Sequence, residues 1–132
     1  MSRVFVDTSA LLTLLDRSDA RHEAARACLE GLADAELVTH GYVVAESMAV
    51  VRRRFGVDGA ITLLDDLLPA IDVHAVDAAV HAAAIARYRA SLPSGTSFVD
   101  QVSFEFMARE TIDAAFAFDA DFVSAGVTVI PS

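Results

Sequence analysis

Short apolar runs alternate with helix-like patterns along the whole chain. Runs rich in β-branched residues predict buried strands, and apolar positions at i, i+3 and i+4 spacing predict amphipathic helices. The predicted strands are 3–6, 36–38, 71–73, 114–118 and 127–130. The predicted helices are 8–15, one opening at Asp19, one capped by Thr39 and ended by Gly56, and then 58–68, 77–90, 97–109 and 119–124.

Strands that alternate with helices are typical of an α/β domain with a parallel sheet. Because the predicted strands are short and nearly all apolar, we expect helices to cover both faces of the sheet. The 132 residues are of the size of one domain, so residues 1–132 are predicted to form a single unit. Functional sites in such folds lie beyond the carboxyl ends of the strands.

Four acidic residues are expected at that edge of the sheet. Asp7 follows the first strand, and Asp119 follows the strand at 114–118. Glu46 lies in the early turns of the helix that leaves the second strand. Asp100 lies in the first turn of a helix that must run back to reach the next strand.

Taken singly, each of these acids is also explained as a helix cap or a strand-end residue. Several carboxylates that converge without basic partners repel one another, and a divalent cation removes that conflict. Oxygen ligands favour Mg²⁺ or Mn²⁺ over Zn²⁺. Such a site can activate water and stabilise charge on a phosphodiester.

Asp121 is a further acid near Asp119, and the sequence leaves open whether it reaches the same site. At about 100° per residue the two side chains would be rotated roughly 200° apart, which predicts that they do not share a face. Asp119 is therefore ranked above Asp121 as a functional residue.

The composition excludes several classes of protein. The apolar fraction of 55% is too high for a disordered chain, and a single cysteine excludes an intramolecular disulfide scaffold. No apolar stretch approaches the ~18 residues of a spanning helix, so we expect a cytoplasmic protein without membrane association. The net charge is −9 and all ten basic residues are arginine. RNA binding would therefore need metal ions or clustered arginines.

The acidic positions stand in segments that resemble a known family. Phe5-Val6-Asp7-Thr8-Ser9-Ala10-Leu11 is similar to the opening of PIN-domain nucleases, and Glu46 after Tyr42-Val43-Val44-Ala45 resembles their second acidic position. Ser97-Phe98-Val99-Asp100 and Ala117-Phe118-Asp119-Ala120-Asp121-Phe122 are similar to the third and fourth. The order and spacing of all four resemble in particular the VapC toxins of VapBC toxin–antitoxin pairs.

This resemblance implies a PIN fold and a Mg²⁺-dependent ribonuclease, with Mn²⁺ as a possible substitute. It implies Asp7, Glu46, Asp100 and Asp119 as the catalytic quartet, with Asp7 and Asp100 as metal ligands. It also implies a homodimer that cleaves RNA and is silenced by a cognate VapB-like antitoxin. An apolar excess on the early helices, at Leu11, Leu12, Leu14 and Leu15, is interpreted as a surface for such a partner.

One position departs from the family pattern. Many members carry Thr, Ser or Asn two residues before the fourth acid, and this chain has Ala117. The substitution removes a polar side chain that would support the site. Thr8 and Ser97 are the candidates to supply the missing hydroxyl.

The same residues bear on other functions of α/β domains. A receiver domain would need a lysine, and a haloacid-dehalogenase-type phosphatase would need Asp where Ser9 stands. A PIN nuclease of RNA processing outside a toxin–antitoxin system, and a non-catalytic acidic interaction domain, both stay open. Stabilisation of the fold by Mg²⁺ or Mn²⁺ would argue against the non-catalytic domain.

The remaining polar residues carry weaker signals. The arginines at 52–54 fit either a solvated helix end or a phosphate contact. The histidines show no metal-ligand spacing and are interpreted as structural or surface residues; they are His22, His40, His74 and His81.

Overall fold

A five-stranded parallel sheet forms the centre of the computed structural model, which describes residues 2–132. The strand order is β3-β2-β1-β4-β5, and every neighbouring pair runs parallel. The strands are β1 (Arg3–Val6), β2 (Glu36–His40), β3 (Asp72–His74), β4 (Ala114–Phe116) and β5 (Thr128–Ile130). This arrangement confirms the predicted α/β fold, and it sets β1 beside β4 as the acid placement requires.

Six α-helices connect and cover the strands. They are α1 (Thr8–Leu15), α2 (His22–Gly31), α3 (Gly41–Thr62), α4 (Ala78–Ala90), α5 (Phe98–Glu110) and α6 (Ala120–Ser124). A π-helical turn at Leu63–Leu67 and 3₁₀ turns at Leu68–Ala70 and Leu92–Ser94 complete the regular structure. None of the helices within residues 2–132 is both long and apolar enough to cross a membrane.

The core is built from the central strands and from buried apolar residues of all six helices. Phe5, Phe116 and Phe122 are fully buried. The ring of Phe122 stacks on that of Phe5 at 6.1 Å and meets the ring of Phe104 edge-on at 4.9 Å. These apolar contacts hold the strands β1 and β4, from which the acidic segments extend.

The start of α3 differs from the sequence prediction. Thr39 belongs to β2, where its hydroxyl donates to the carbonyl of Val6 at 2.8 Å. The cap is His40, whose Nδ1 accepts from the backbone N–H groups of Tyr42 at 3.2 Å and Val43 at 3.4 Å. Threonine was preferred because hydroxyl caps are common; here the strand runs two residues further than expected and takes Thr39 into the sheet.

The end of a predicted helix and the end of a predicted strand also differ from the sequence prediction. Gly56 interrupts the helical backbone with φ +70°, as the predicted break requires, but the chain re-enters a helix at once and both segments form α3. The strand predicted at 114–118 ends at Phe116, because Phe118 donates its N–H to the side chain of Ser9 instead of a sheet partner. Asp119 therefore stands three residues beyond its strand.

Candidate active site

The carboxyl end of the sheet carries a shallow cavity of about 370 Å³. Asp7 directly follows β1, and Asp119 follows the neighbouring strand β4 after a two-residue extension. Five acidic side chains line this cavity: Asp7, Glu46, Asp100, Asp119 and Asp121. The four positions singled out in the sequence are thus brought to one place.

Asp7 is held by the first turn of α1. It caps this helix with extended backbone angles, and its Oδ2 accepts from the N–H of Ser9 at 3.1 Å and from the Ser9 hydroxyl at 2.6 Å. Asp7 is 3% exposed. A carboxylate at a helix N-terminus is favoured by the helix dipole, which offsets part of the cost of this burial.

Asp100 is held by the first turn of α5. Ser97 caps this helix, and its hydroxyl accepts from the N–H of Asp100 at 3.1 Å. Asp100 is 9% exposed, so its carboxyl group lies at the floor of the cavity with little access to bulk water.

The carboxylates of Asp100, Asp119 and Asp121 form the tightest group. One oxygen of each lies within 4.8 Å of the others. Asp7 and Glu46 line the same cavity without belonging to this group. The tight group therefore joins two predicted site residues with an acid that was ranked below them.

The expectation that Asp121 points away from Asp119 is wrong. It assumed that both residues lie in one helix, but Asp119 precedes α6 as its cap with φ −119° and ψ 120°. Its Oδ1 accepts from the N–H of Asp121 at 2.9 Å. A rotation of 100° per residue applies inside the helix only, and the cap geometry turns both carboxylates toward the cavity.

Burial and mutual repulsion oppose the charged forms of the buried acids. Burial is the main cause that raises the pKa of Asp7 to about 6, and the charges of Asp119 and Glu46 add to it. Burial also raises the pKa of Asp100 to about 8, followed by the charges of Asp7 and Asp119. Asp7 and Asp100 are therefore both affected by acids that come from other elements of the fold.

No positive side chain offsets this charge. None of the five acids forms an ion pair within the part of the chain that the structure describes. A set of clustered oxygen donors, two of them nearly inaccessible to water, fits a hard divalent cation such as Mg²⁺ or Mn²⁺. The residues present thus fit the metal that their chemistry implies.

Ser9 is the supporting residue that the sequence reasoning missed. Ala117 is buried and brings no polar group. Of the two proposed substitutes, Ser97 caps α5 and Thr8 accepts a hydrogen bond from Ser47 at 3.3 Å. Ser9 instead donates to Asp7 and accepts from Phe118, which ties the first acid to the segment that carries Asp119. An Asp followed two residues later by Ser at a predicted helix start was the available signal.

The fold and the acidic rim agree with a family match that spans nearly all of the chain. Residues 4–127 match the PIN domain. The chain belongs to the PIN domain family. This match confirms the family expected from the acidic segments.

Two curated relatives of this PIN domain come from Mycobacterium tuberculosis. It is 32% identical over 124 residues to the 23S rRNA-specific endonuclease VapC20. This alignment covers 93% of this chain and 94% of VapC20. The chain is 42% identical over 64 residues to the ribonuclease VapC26, an alignment that spans 48% of this chain and 47% of the relative.

Solved structures show the same fold. The crystal structure of VapC20, described as a Sarcin-Ricin loop cleaving toxin, superposes with a TM-score of 0.86 at 30% identity and covers 95% of this chain and 96% of its own. The VapBC2 complex from Rickettsia felis matches with a TM-score of 0.72 at 14% identity, covering 96% of each chain. The second likeness concerns the fold alone.

Proposed function

We propose that this PIN domain is a metal-dependent endoribonuclease of the VapC toxin type, which hydrolyses phosphodiester bonds of RNA. The observation that carries the proposal is the convergence of five carboxylates, without a cationic partner among residues 2–132, in one open cavity at the carboxyl edge of the sheet. The whole-length similarity to the endonuclease VapC20 supports RNA as the substrate.

Asp7, Glu46, Asp100 and Asp119 are proposed as the catalytic residues, with Asp7 and Asp100 as metal ligands. Mg²⁺ is the proposed metal and Mn²⁺ its substitute. When bound, a divalent cation lowers the pKa of a coordinated water molecule and offsets charge on the phosphodiester. The protein contributes fixed carboxylates: Ser9 orients Asp7, and the start of α5 presents Asp100.

The position of Asp121 makes it a candidate third ligand beside Asp100 and Asp119. Its backbone N–H holds the Asp119 side chain, so the two acids are oriented together. We propose that Asp121 helps to hold the metal and that Asp119 contributes more to cleavage, since the charge of Asp119 acts on both Asp7 and Asp100.

A cognate antitoxin is the proposed partner. Beside α1 and α2, an open groove of about 620 Å³ combines apolar Leu14, Leu29 and Leu67 with the cations Arg17 and Arg26. Such a surface fits an amphipathic partner segment. We propose that the segment continues to the acidic cavity and inserts an Arg or Lys, which would compete with metal and RNA phosphates.

A homodimer and a cytoplasmic location complete the proposal. The homodimer is what the resemblance to VapC toxins implies, and the cytoplasm is where RNA substrate is abundant. Light scattering on the purified protein, with and without the antitoxin, measures the first directly.

Sequencing of RNA ends after brief induction tests the activity. We expect new ends at a few defined positions with the wild type and none with Asp7→Asn, which keeps the size of the side chain and its capping ability. The 23S rRNA is the first RNA to inspect, given the name of VapC20. Identical RNA ends in the two strains, at equal protein levels, would contradict an endoribonuclease.

Co-purification tests the partner. The protein is expressed with the small gene beside its own, and the complex is isolated through a tag on one chain. We expect a stable complex whose cleavage activity is low. Absence of a binding partner and harmless expression of the protein alone would contradict the toxin assignment and leave a PIN nuclease of RNA processing.

A further inference from the structure

Three aromatic side chains meet where three helices begin. Tyr42 is the second residue of α3, His81 the fourth of α4, and Phe98 the first of α5. Their ring centroids are 5.9 Å apart for Tyr42 and His81, 6.2 Å for Tyr42 and Phe98, and 5.5 Å for His81 and Phe98. Tyr42, His81 and Phe98 are called the rim aromatic cluster below.

The rim aromatic cluster adjoins the acidic cavity. Tyr42 precedes Glu46 by four residues in α3, which places the two side chains on one face about 6 Å apart along the helix. Phe98 stands between Ser97 and Asp100, and both of these line the cavity. None of the three rings lines the cavity itself, so a molecule in the cavity would reach them by extending past Glu46 and the start of α5.

A hydrogen bond orients the exposed member of the cluster. The hydroxyl of Tyr42 and Nδ1 of His81 are 2.8 Å apart. Nε2 of His81 has no hydrogen-bond partner within residues 2–132, and the side chain is exposed. The ring thus offers an accessible face and a polar edge.

The charge of the protein itself does not favour binding of RNA at this edge. The chain carries a net charge of −9, and the cavity itself is acidic. Arginines lie over Phe118, Phe55 and Phe104, but none lies over the rim aromatic cluster in the described part of the chain. Stacking of bases on neutral rings needs no positive charge and is a common means of binding single-stranded RNA.

We propose that the rim aromatic cluster is a nucleobase subsite, on which an unpaired base that flanks the cleaved phosphate stacks. The exposed ring of His81 and the edge of Tyr42 form the platform, and Phe98 supports both from below. Nε2 of His81 forms a hydrogen bond with the base edge. This inference rests on the proposed RNA substrate and adds to it the residues that hold a base beside the acids.

Binding of a short single-stranded RNA that carries a mapped cleavage site tests the subsite. Fluorescence anisotropy is measured with Mg²⁺ in an Asp100→Asn background, which prevents turnover. We expect His81→Ala and Tyr42→Leu to weaken binding by about 5- to 150-fold, the range of one lost stacking contact. The dependence on salt should keep its slope, because no phosphate contact is removed.

Phe55→Leu is the matched control. Phe55 lies on the same helix as Tyr42, 13 residues further on and about 20 Å along the axis, and is also half-buried. We expect its RNA affinity to equal that of the parent. Tyr42→Phe keeps the ring and loses the hydroxyl, so it should retain most of the affinity and discriminate less between bases.

An oligonucleotide without the flanking base provides the decisive comparison. It should bind the parent more weakly, and His81→Ala should then cause no further loss. Equal affinity of the parent, His81→Ala and Tyr42→Leu for the intact RNA would overturn the inference. RNA cleavage by the wild type is measured in parallel. Its absence, with ring-dependent binding retained, would overturn the proposed ribonuclease and not the subsite.

Discussion

The hydroxyl of Ser9 donates a 2.6 Å hydrogen bond to Oδ2 of Asp7. The hydroxyl oxygen of Ser9 in turn accepts from the N–H of Phe118 at 2.8 Å, one residue before Asp119. Ser9 therefore fixes the rotamer of one acid and the path of the chain that presents another. Such outer contacts orient the groups that hold a metal.

Ser9→Ala should lower RNA cleavage by about 10- to 100-fold, because both acids lose their common anchor. The free energy of unfolding should fall by only about 1 kcal/mol. Ser18→Ala is the control, since Ser18 makes the same 2.6 Å contact with Asp16 on the exposed surface. Cleavage rates and melting curves of both variants are compared; equal cleavage by both would contradict an anchoring role.

Asp100→Asn should abolish cleavage and yet stabilise the metal-free protein near pH 8. The pKa of Asp100 is raised to about 8, and that of Asp7 to about 6. The stabilising protonated forms are fully present below about pH 4 and are lost as the pH rises through these values. The amide removes the buried charge. Urea unfolding in chelator should give a higher midpoint for the variant at pH 8 than for the wild type. A lower midpoint for Asp100→Asn than for the wild type would contradict repulsion among the buried carboxylates.

Divalent metal should stabilise the wild type, and more so as the pH rises from 6 to 8, because protons compete for the same carboxylates. At about a hundred times Kd the gain is roughly 2.7 kcal/mol. Melting temperatures are recorded with Mg²⁺, with Mn²⁺ and with chelator. Identical midpoints at millimolar metal would favour a non-catalytic acidic domain.

His40 should destabilise the fold in acid. It is fully buried, its Nδ1 caps α3, and its Nε2 lies 2.9 Å from the hydroxyl of Ser103. Burial lowers its pKa to about 4. The unfolded chain takes up the proton near pH 6.5, so the contribution of neutral His40 is present above that value and is lost as the pH falls toward 4.

His40→Asn isolates this effect, since asparagine can cap but does not titrate. The difference in unfolding free energy between wild type and variant should shrink from pH 7 to pH 4.5, while all other titrating groups cancel in the difference. A difference that is constant with pH would show that His40 is not buried in its neutral form.

Asp119→Asn should lose more cleavage than Asp121→Asn. Both acids belong to the tight group with Asp100, and the charge of Asp119 in addition raises the pKa values of Asp7 and Asp100. The Asp119→Asn substitution preserves the cap of α6, so it should lower the rate of cleavage and leave folding unchanged. Initial rates at saturating Mg²⁺ and melting curves are measured for both. A slower Asp121→Asn would make Asp121 the leading ligand.

The sequence predicts the fold because its signals are local and repeated. Apolar strands alternate with helices, and parallel strands share a carboxyl edge, so Asp7, Glu46, Asp100 and Asp119 could be placed together without coordinates. The pairing of β1 with β4 follows the same logic.

Contacts between side chains and backbone at element ends were harder to predict. Ser9 and Asp121 act through cap geometry, which depends on one or two residues lying outside a helix. A boundary error of one residue at the start of α6 was enough to turn Asp121 away from the site in the sequence prediction. His40 was interpreted as structural, and its role as a cap required the extended strand β2.

These carboxylates are proposed to form one metal site that cleaves RNA. The most direct measurement is the initial rate of cleavage of a mapped RNA against Mg²⁺ concentration, for the wild type and for Asp100→Asn, with intact folding of both checked by melting. We predict a saturable rise from no activity in chelator for the wild type, and a rate lower by orders of magnitude for the variant at every concentration. Cleavage in chelator, or equal rates for the two proteins, would contradict the account.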